Sequence, residues 1–355
     1  MQHTDCGERT ISIKRLFAAL DASMCEADEE RRRTQAGPQT AISRHFSNYV
    51  AATTMNGLQR LQLCRRALDA LDRRGWDRSF HQRIFHEEYL KSCSRIFFKR
   101  DGAGAFARSH ARLLEVNGWD STPQEILVST PRRFGKTISV SMFAAAMMYA
   151  CPNMELSIYS TCKRISQKLL RNVVKFMELI FLELRQVPYK VLRMNQEEVH
   201  IKGPEGQGDL RVINSYPSKI GTTKGTGGDI IILEEAAYVD PGFFYETVAP
   251  LLLVGVTSLI CISTLTSDIN FYTRLFKIRD QVTGLPIFAQ LQVTLACEQC
   301  KEDGKAGQCK HMLHLVPQWQ SSARHERLRA VMIDRPDLIQ SELSVIIISN
   351  YLLLL

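Results

Sequence analysis

The chain has no run of about 18 apolar residues, so a bilayer-spanning helix is not expected. Its first residues, MQHTDCGERTISIKR, lack the apolar core and small-residue cleavage site of a secretory leader. No internal repeat or low-complexity segment is visible along the 355 residues, which argues against repeat architectures and biased linkers. Without a leader, the ten cysteines read as reduced thiols of an intracellular protein rather than a disulfide framework. Closely spaced cysteines then become metal candidates.

What is present is ordinary for a globular protein, with 45% hydrophobic and 23% charged residues and length enough for one large or two smaller domains. The balance is basic, at +8 net. Such a charge fits an anionic partner, nucleic acid before a membrane surface, and fits a plain solvated basic surface equally well.

The texture changes along the chain. Residues 1–78 read as a helical, basic N-terminal region, with clusters such as Glu29–Arg33 and Cys64–Arg66. Between 81 and 98, Phe85, Tyr89 and Leu90 recur at helical spacing, the mark of a packed face. From residue 125 onward, apolar strands are expected at 125–130, 155–161, 197–202, 209–215, 229–233 and 258–263. Helical stretches lie between several of them, including a long amphipathic one from about Lys163 to Arg185. Strands alternating with helices predict an α/β domain with a mostly parallel central sheet flanked by helices.

The first strand runs into Thr130-Pro-Arg-Arg-Phe-Gly-Lys-Thr137 and then into an apolar helix. Strand, tight loop ending Gly-Lys-Thr, then helix is the P-loop arrangement for nucleotide phosphates, because a helix N-terminus offers free N–H groups and a positive dipole end. Gly135 would let the backbone approach the phosphates, Lys136 would reach the β/γ-phosphates, and the Thr137 hydroxyl would hold Mg²⁺. The pattern departs from the usual one, since Thr130 stands where the first glycine belongs. Arg132 and Arg133 add permanent charge beside the γ-phosphate position, where a cis-acting arginine can stabilise transition-state charge.

The apolar strand Ile230–Leu233 ends in Glu234 and Glu235. In a P-loop ATPase the first acid there organises Mg²⁺ and the second is the general base toward the attacking water. A third strand, Cys261–Ser267, ends in hydroxyls; Ser263 and Thr264 there could sense a γ-phosphate, although such residues are common at strand ends.

Taken together, Pro131–Thr137, Leu233-Glu-Glu-Ala-Ala-Tyr238 and Ser263-Thr-Leu-Thr-Ser-Asp-Ile-Asn-Phe-Tyr272 resemble the ATPase domain of viral terminase large subunits, the genome-packaging motors of tailed phages and herpesviruses. That family's phosphate loop carries arginines, its acidic motif typically reads Asp-Glu-Ala followed by an aromatic, and its coupling motif pairs Ser/Thr with a downstream Asn and aromatics. The resemblance covers roughly residues 80–345. It implies ATP and Mg²⁺ as cofactors and double-stranded DNA as partner, translocated into a procapsid. It also implies a homo-oligomeric ring, portal protein and small terminase subunit as partners, and action at the host nucleus or viral assembly site. It makes Gln82 an adenine-contacting residue, with Pro131, Arg132, Arg133, Gly135, Lys136, Thr137, Glu234, Ser263 and Thr264 around the nucleotide, and Glu235, Arg132 and Lys136 catalytic. Lys163 and Arg164 sit where related motors can touch DNA; the Ser218–Gly228 loop is another candidate contact and equally fits a plain surface loop.

Two departures qualify it. Glu234 replaces the family's usual Asp. The family normally continues into a nuclease domain, whereas here an apolar tail, 346–355, follows the ATPase domain expected over 79–345, and no nuclease activity is expected.

Within that domain, at about 295–315, Cys297-Glu-Gln-Cys300 is followed by Cys309-Lys-His311. Two close pairs across a Gly/Lys-rich loop suit tetrahedral Zn²⁺ in a closed, structural site, with His314 the alternate fourth ligand to His311. Two other readings stand beside the motor: a helicase-like DNA-dependent ATPase, and a non-catalytic nucleic-acid-binding remnant.

Overall fold

The computed structural model describes residues 55–185, 189–203, 208–218, 227–264, 270–305, 308–335 and 339, all within the unit Ala51–Leu355. The expected N-terminal region up to residue 54, loop residues 219–226, part of the third motif (265–269) and the apolar tail lie outside the described residues.

Among the described residues, eight strands form one sheet: β1 (Glu125–Ser129), β2 (Glu155–Ser160), β3 (Lys190–Met194), β4 (Glu198–Lys202), β5 (Leu210–Pro217), β6 (Ile230–Glu234), β7 (Ser258–Ser263) and β8 (Ala289–Gln292). Their order is β3-β4-β5-β2-β6-β7-β1-β8. Only β3–β4 and β4–β5 pair antiparallel; the remaining pairs are parallel. The central strands β6 and β7 are buried along their whole length, as expected where helices cover both faces of a parallel sheet. Register aligns Ser129 with Ser263, Ser160 with Glu234, and Glu234 with Ile262. The carboxyl ends of four neighbouring strands therefore finish level, and open α/β sheets bind ligands in the crevice outside such ends.

Five helices set the frame: α1 (Gly57–Arg73), α2 (Phe80–Ser92), α3 (Ala105–Asn117), α4 (Lys136–Ala150) and α5 (Lys163–Leu184). α4 is buried on nearly every side. Its Ala144-Ala-Ala146 run keeps the surface slim enough for α1 and α5 to pack against it. The N-terminal expectation ran to residue 78, yet α1 shares the core with α4, with Cys64 Sγ 3.7 Å from Met147 Sδ. At α1's start, a Cβ on Gly57 would lie 2.4 Å from the Phe98 ring. Only glycine permits that approach. Buried Arg60 closes the corner by donating to the Phe97 carbonyl at 2.7 Å and to Asp101 at 2.6 Å. Among the described residues, no helix is long and apolar enough to cross a membrane.

Phe85, Tyr89 and Leu90 are all buried on α2, as their spacing predicts. Between them His86 joins α2 to α4, its Nε2 2.9 Å from the Ser139 carbonyl and 3.0 Å from the Ser139 hydroxyl. Burial, then the nearby Arg78 charge, pull its pKa down from 6.5 to about 3. The folded pKa lies below the unfolded one, so this contribution is fully present above pH 6.5 and is lost as pH falls toward 3. Unfolding free energy is expected to drop by about 1.4 kcal/mol per pH unit from this group alone over that window. His86→Gln should flatten the slope in pH-dependent denaturation; an unchanged slope would assign it to other groups.

Candidate functional site

The Thr130–Thr137 loop leaves β1 at its carboxyl end and enters α4 at Lys136. The Thr130 N–H donates to the Ser263 carbonyl at 3.2 Å, carrying the β1–β7 pairing one residue further. Buried Phe134 anchors the loop from beneath, its ring 5.4 Å from that of His81. The backbone is left-handed at Arg133 (φ 66°) and at Gly135 (φ 78°). At 135 a side chain is excluded twice, by that φ and by space: a Cβ would lie 2.7 Å from Gln82 Nε2 and 2.9 Å from Trp319 Cζ2. The loop thus needs a glycine at its end although it dispenses with one at Thr130.

Lys136 is buried, and its ammonium donates to Thr264 Oγ1 at 2.6 Å. Burial pulls the lysine pKa down; the Glu235 and Glu234 carboxylates oppose that shift. The Thr137 hydroxyl donates to Glu234 Oε1. Glu234 is fully buried, and its other carboxylate oxygen, Oε2, has no hydrogen-bond partner. Burial pushes its pKa up to about 7, Glu235 adding to the rise while the Thr137 hydrogen bond and Lys136 hold it back. A buried, half-satisfied carboxylate beside a hydroxyl is an incomplete arrangement that a divalent cation would complete. The longer Glu side chain, in place of Asp, still reaches Thr137.

Glu235 behaves differently. Its backbone is left-handed (φ 54°) where β6 turns into Ala236–Tyr238, and its side chain lines the cavity above Lys136. Strand alternation alone would leave successive carboxylates on opposite faces; the turn puts one under the site and the other on its wall. Ser263 is fully buried, its Oγ accepting from the Ala237 N–H at 3.2 Å and donating to the Thr264 carbonyl at 3.1 Å. β7 is thereby tied to the residues after the acidic pair, and Thr264 to Lys136.

These groups surround a cavity of about 600 Å³ whose walls include Arg132, Lys136, Thr137, Lys168, Glu235 and Tyr238. A second cavity of about 1120 Å³ shares Arg132, Arg133 and Trp319 with it. Trp319 and Gln320 both donate to the Arg133 carbonyl, at 2.9 and 2.8 Å. Neither was singled out from the sequence; the only signal is a lone aromatic in a polar stretch, with no spacing to connect it to residue 133. A smaller cavity of about 400 Å³ beside Lys99, Glu155 and Asp229 lies at the other end of the strands, where Lys99 and Asp229 already pair at 2.8 Å.

Gln82 reaches the loop but turns inward. It is buried, its Oε1 accepts from the Ser79 N–H at 3.0 Å, and its Nε2 donates to the Gly135 carbonyl at 3.2 Å. Pro131 is buried at the loop's start. Lys163 is exposed and pairs with Glu197, and Arg164 is exposed beside it.

Farther along the chain, Cys297, Cys300, Cys309 and His311 place their ligand atoms within 4.8 Å of one another. Sγ of Cys297 and of Cys300 lie 3.3 and 3.4 Å from His311 Nδ1, while Cys309 Sγ lies 3.8 Å from Cys297 Sγ and from His311 Nδ1. Tetrahedral zinc with its usual bond lengths would need edges of roughly 3.8 Å for S···S and 3.5 Å for S···N. The donor set fits. His314 Nδ1 bonds the His311 carbonyl at 2.8 Å and is outside the group. Arg329, on α6 (Ser322–Val331), donates to the Cys309 carbonyl, and a guanidinium there would offset the net negative charge of a Cys₃His zinc site.

No protein-family model matches the chain, and no curated protein does. Among solved structures it is similar to the large terminase ATPase domain of Thermus phage P74-26, at 16% identity and TM-score 0.47 over 65% of this chain and 95% of that one. It is similar to the HK97 bacteriophage large terminase at 15% identity and TM-score 0.46, covering 63% of this chain and 46% of that one. Another similar structure is the Phi-28 gp11 DNA packaging motor, at 10% identity and TM-score 0.30 over 59% and 67% of the two chains. These likenesses are too distant to carry a chemical argument; that rests on the loop, the acidic pair and the cavity.

Proposed function

We propose that this chain is an ATP-hydrolysing motor subunit of the terminase large-subunit kind, translocating double-stranded DNA into a procapsid. One observation carries the reading: Lys136, Thr137, Glu235 and Thr264 converge from three strand ends onto one cavity, with buried Glu234 bonded to Thr137 behind its wall. That convergence combines a buried cation for phosphate oxygens, a hydroxyl–carboxylate pair for Mg²⁺ and a second carboxylate open to the cavity.

In this reading the helix N-terminus and Lys136 bind the phosphates, and Arg132, on the cavity wall, faces charge that develops during transfer. Thr137 and Glu234 would hold Mg²⁺, which supplies electrostatic stabilisation of phosphate oxygens when bound. Glu235 orients water and accepts its proton as general base. Lys136–Thr264 and Ser263–Ala237 link the phosphate end to β7, whose end leads toward Asn270 and Tyr272, a route by which phosphate occupancy can reach a moving element. Cys297, Cys300, Cys309 and His311 would hold structural zinc, four protein ligands leaving no open position for catalysis. The basic net charge supports a DNA partner. The ring, portal protein and small subunit follow from the resemblance and belong to the same proposal.

Purified protein is expected to hydrolyse ATP with stimulation by double-stranded DNA, and Lys136→Ala to lower turnover at least about 100-fold. No turnover above the Lys136→Ala level would sink the motor reading and leave a nucleic-acid-binding remnant. ATP-dependent strand separation without procapsid filling would favour the helicase-like alternative.

A further inference from the structure

The family resemblance assigned the base to Gln82, but both ends of its amide are occupied within the protein and it lines neither cavity. Another group must meet the nucleoside half of the ligand. Trp319 stands where the two cavities join and lines both. It is 48% exposed, the condition for a ring that offers a face. It is also fixed: its Nε1–H donates to the Arg133 carbonyl, and its six-membered ring rests against Gly135. Gln320 donates to the same carbonyl while its other amide end meets His325, so the segment carrying the ring is tethered on both sides. The larger cavity is lined by Leu328 and Met332 together with the polar Ser321 and Arg324. A planar, mostly apolar body with a polar edge fits those walls, and pockets of this size hold small molecules.

We propose that Trp319 is the base-stacking platform of the nucleotide site. The inference rests on the nucleotide reading above and deepens it. A nucleobase stacks on the exposed indole face while its triphosphate turns back past Arg133 and Gly135 into the phosphate cavity. Stacking depends on ring area rather than on hydrogen-bond pattern, so purine triphosphates bind more tightly than pyrimidine ones, with little discrimination between ATP and GTP.

The test compares Mg²⁺-ATP with inorganic tripolyphosphate, which carries the phosphates and no base, by calorimetry on the full chain. Trp319→Ala is expected to weaken ATP about 10- to 100-fold and to leave tripolyphosphate within about threefold. Trp319→Phe keeps a ring and should retain ATP affinity within about fivefold. Equal loss of both ligands in Trp319→Ala would overturn the proposal and leave Trp319 as a brace for the loop; so would undiminished ATP binding. Failure of both ligands to bind the wild-type chain would overturn the nucleotide site itself and the stacking role with it.

Discussion

Glu235→Gln is expected to lower ATP turnover by about 10²- to 10⁴-fold, the range a positioned general base contributes, while ATP affinity changes less than about threefold. The reason lies in where the carboxylate sits. Glu235 is on the cavity wall, and its loss removes a proton acceptor without disturbing the groups that grip the phosphates. The neighbouring substitution should part company with it. Glu234 is buried against Thr137 with one oxygen unpartnered, and an unsatisfied buried acceptor costs about 1–3 kcal/mol. Glu234→Gln is therefore expected to leave the ligand-free protein as stable as wild type or more so. It should also abolish the gain in ATP affinity that Mg²⁺ confers. Turnover with and without Mg²⁺, together with melting of the ligand-free chain, separates the two acids. Wild-type kcat in Glu235→Gln would place the base elsewhere, and undiminished Mg²⁺ dependence in Glu234→Gln would remove that residue from the metal site.

Removing metal from the zinc site proposed at Cys297, Cys300, Cys309 and His311 is expected to have the second large effect. Structural zinc sites bind with roughly 10–16 kcal/mol in small peptides, although in the proposed site only the local module would depend on the metal. Treatment with a strong chelator, or Cys300→Ser, is expected to lower the melting temperature by on the order of 5–10 °C. The consequence should reach the proposed nucleotide site. Arg329 holds the Cys309 carbonyl from α6, and that helix begins directly after the segment in which Trp319 and Gln320 hold Arg133. Loosening the module frees both tethers, so ATP affinity should fall with the melting temperature. Elemental analysis showing no bound metal, with melting unchanged by chelator, would defeat the zinc assignment.

Much of the fold was legible because parallel strands covered on both faces leave continuous apolar runs. Ile230–Glu234 and Ser258–Ser263 announced themselves that way and lie at the sheet's centre. Two strands went unread, Lys190–Met194 and Ala289–Gln292, at the two edges of the sheet. They face solvent in part, so nothing forces an apolar or alternating pattern on them. The limit at residue 78 places α1 outside the expected α/β domain for a similar reason. Its basic residues are conspicuous in sequence, but its apolar stripe, Leu61, Cys64, Leu68 and Leu71, meets a partner that only the fold supplies.

In the site, the sequence by itself determined the local pieces: a loop with glycine before Lys136 and Thr137, two acids at a strand end, and four metal-type ligands at close spacing. Each is encoded by neighbours along the chain, so spacing alone can express it. Only the tertiary structure decided what meets what. It set Thr137 against Glu234, Lys136 against Thr264, turned Gln82 inward and brought Trp319 onto Arg133. Those contacts join residues about 50 to nearly 190 positions apart. Sheet order and packing, rather than local preference, bring such distant residues within hydrogen-bond reach.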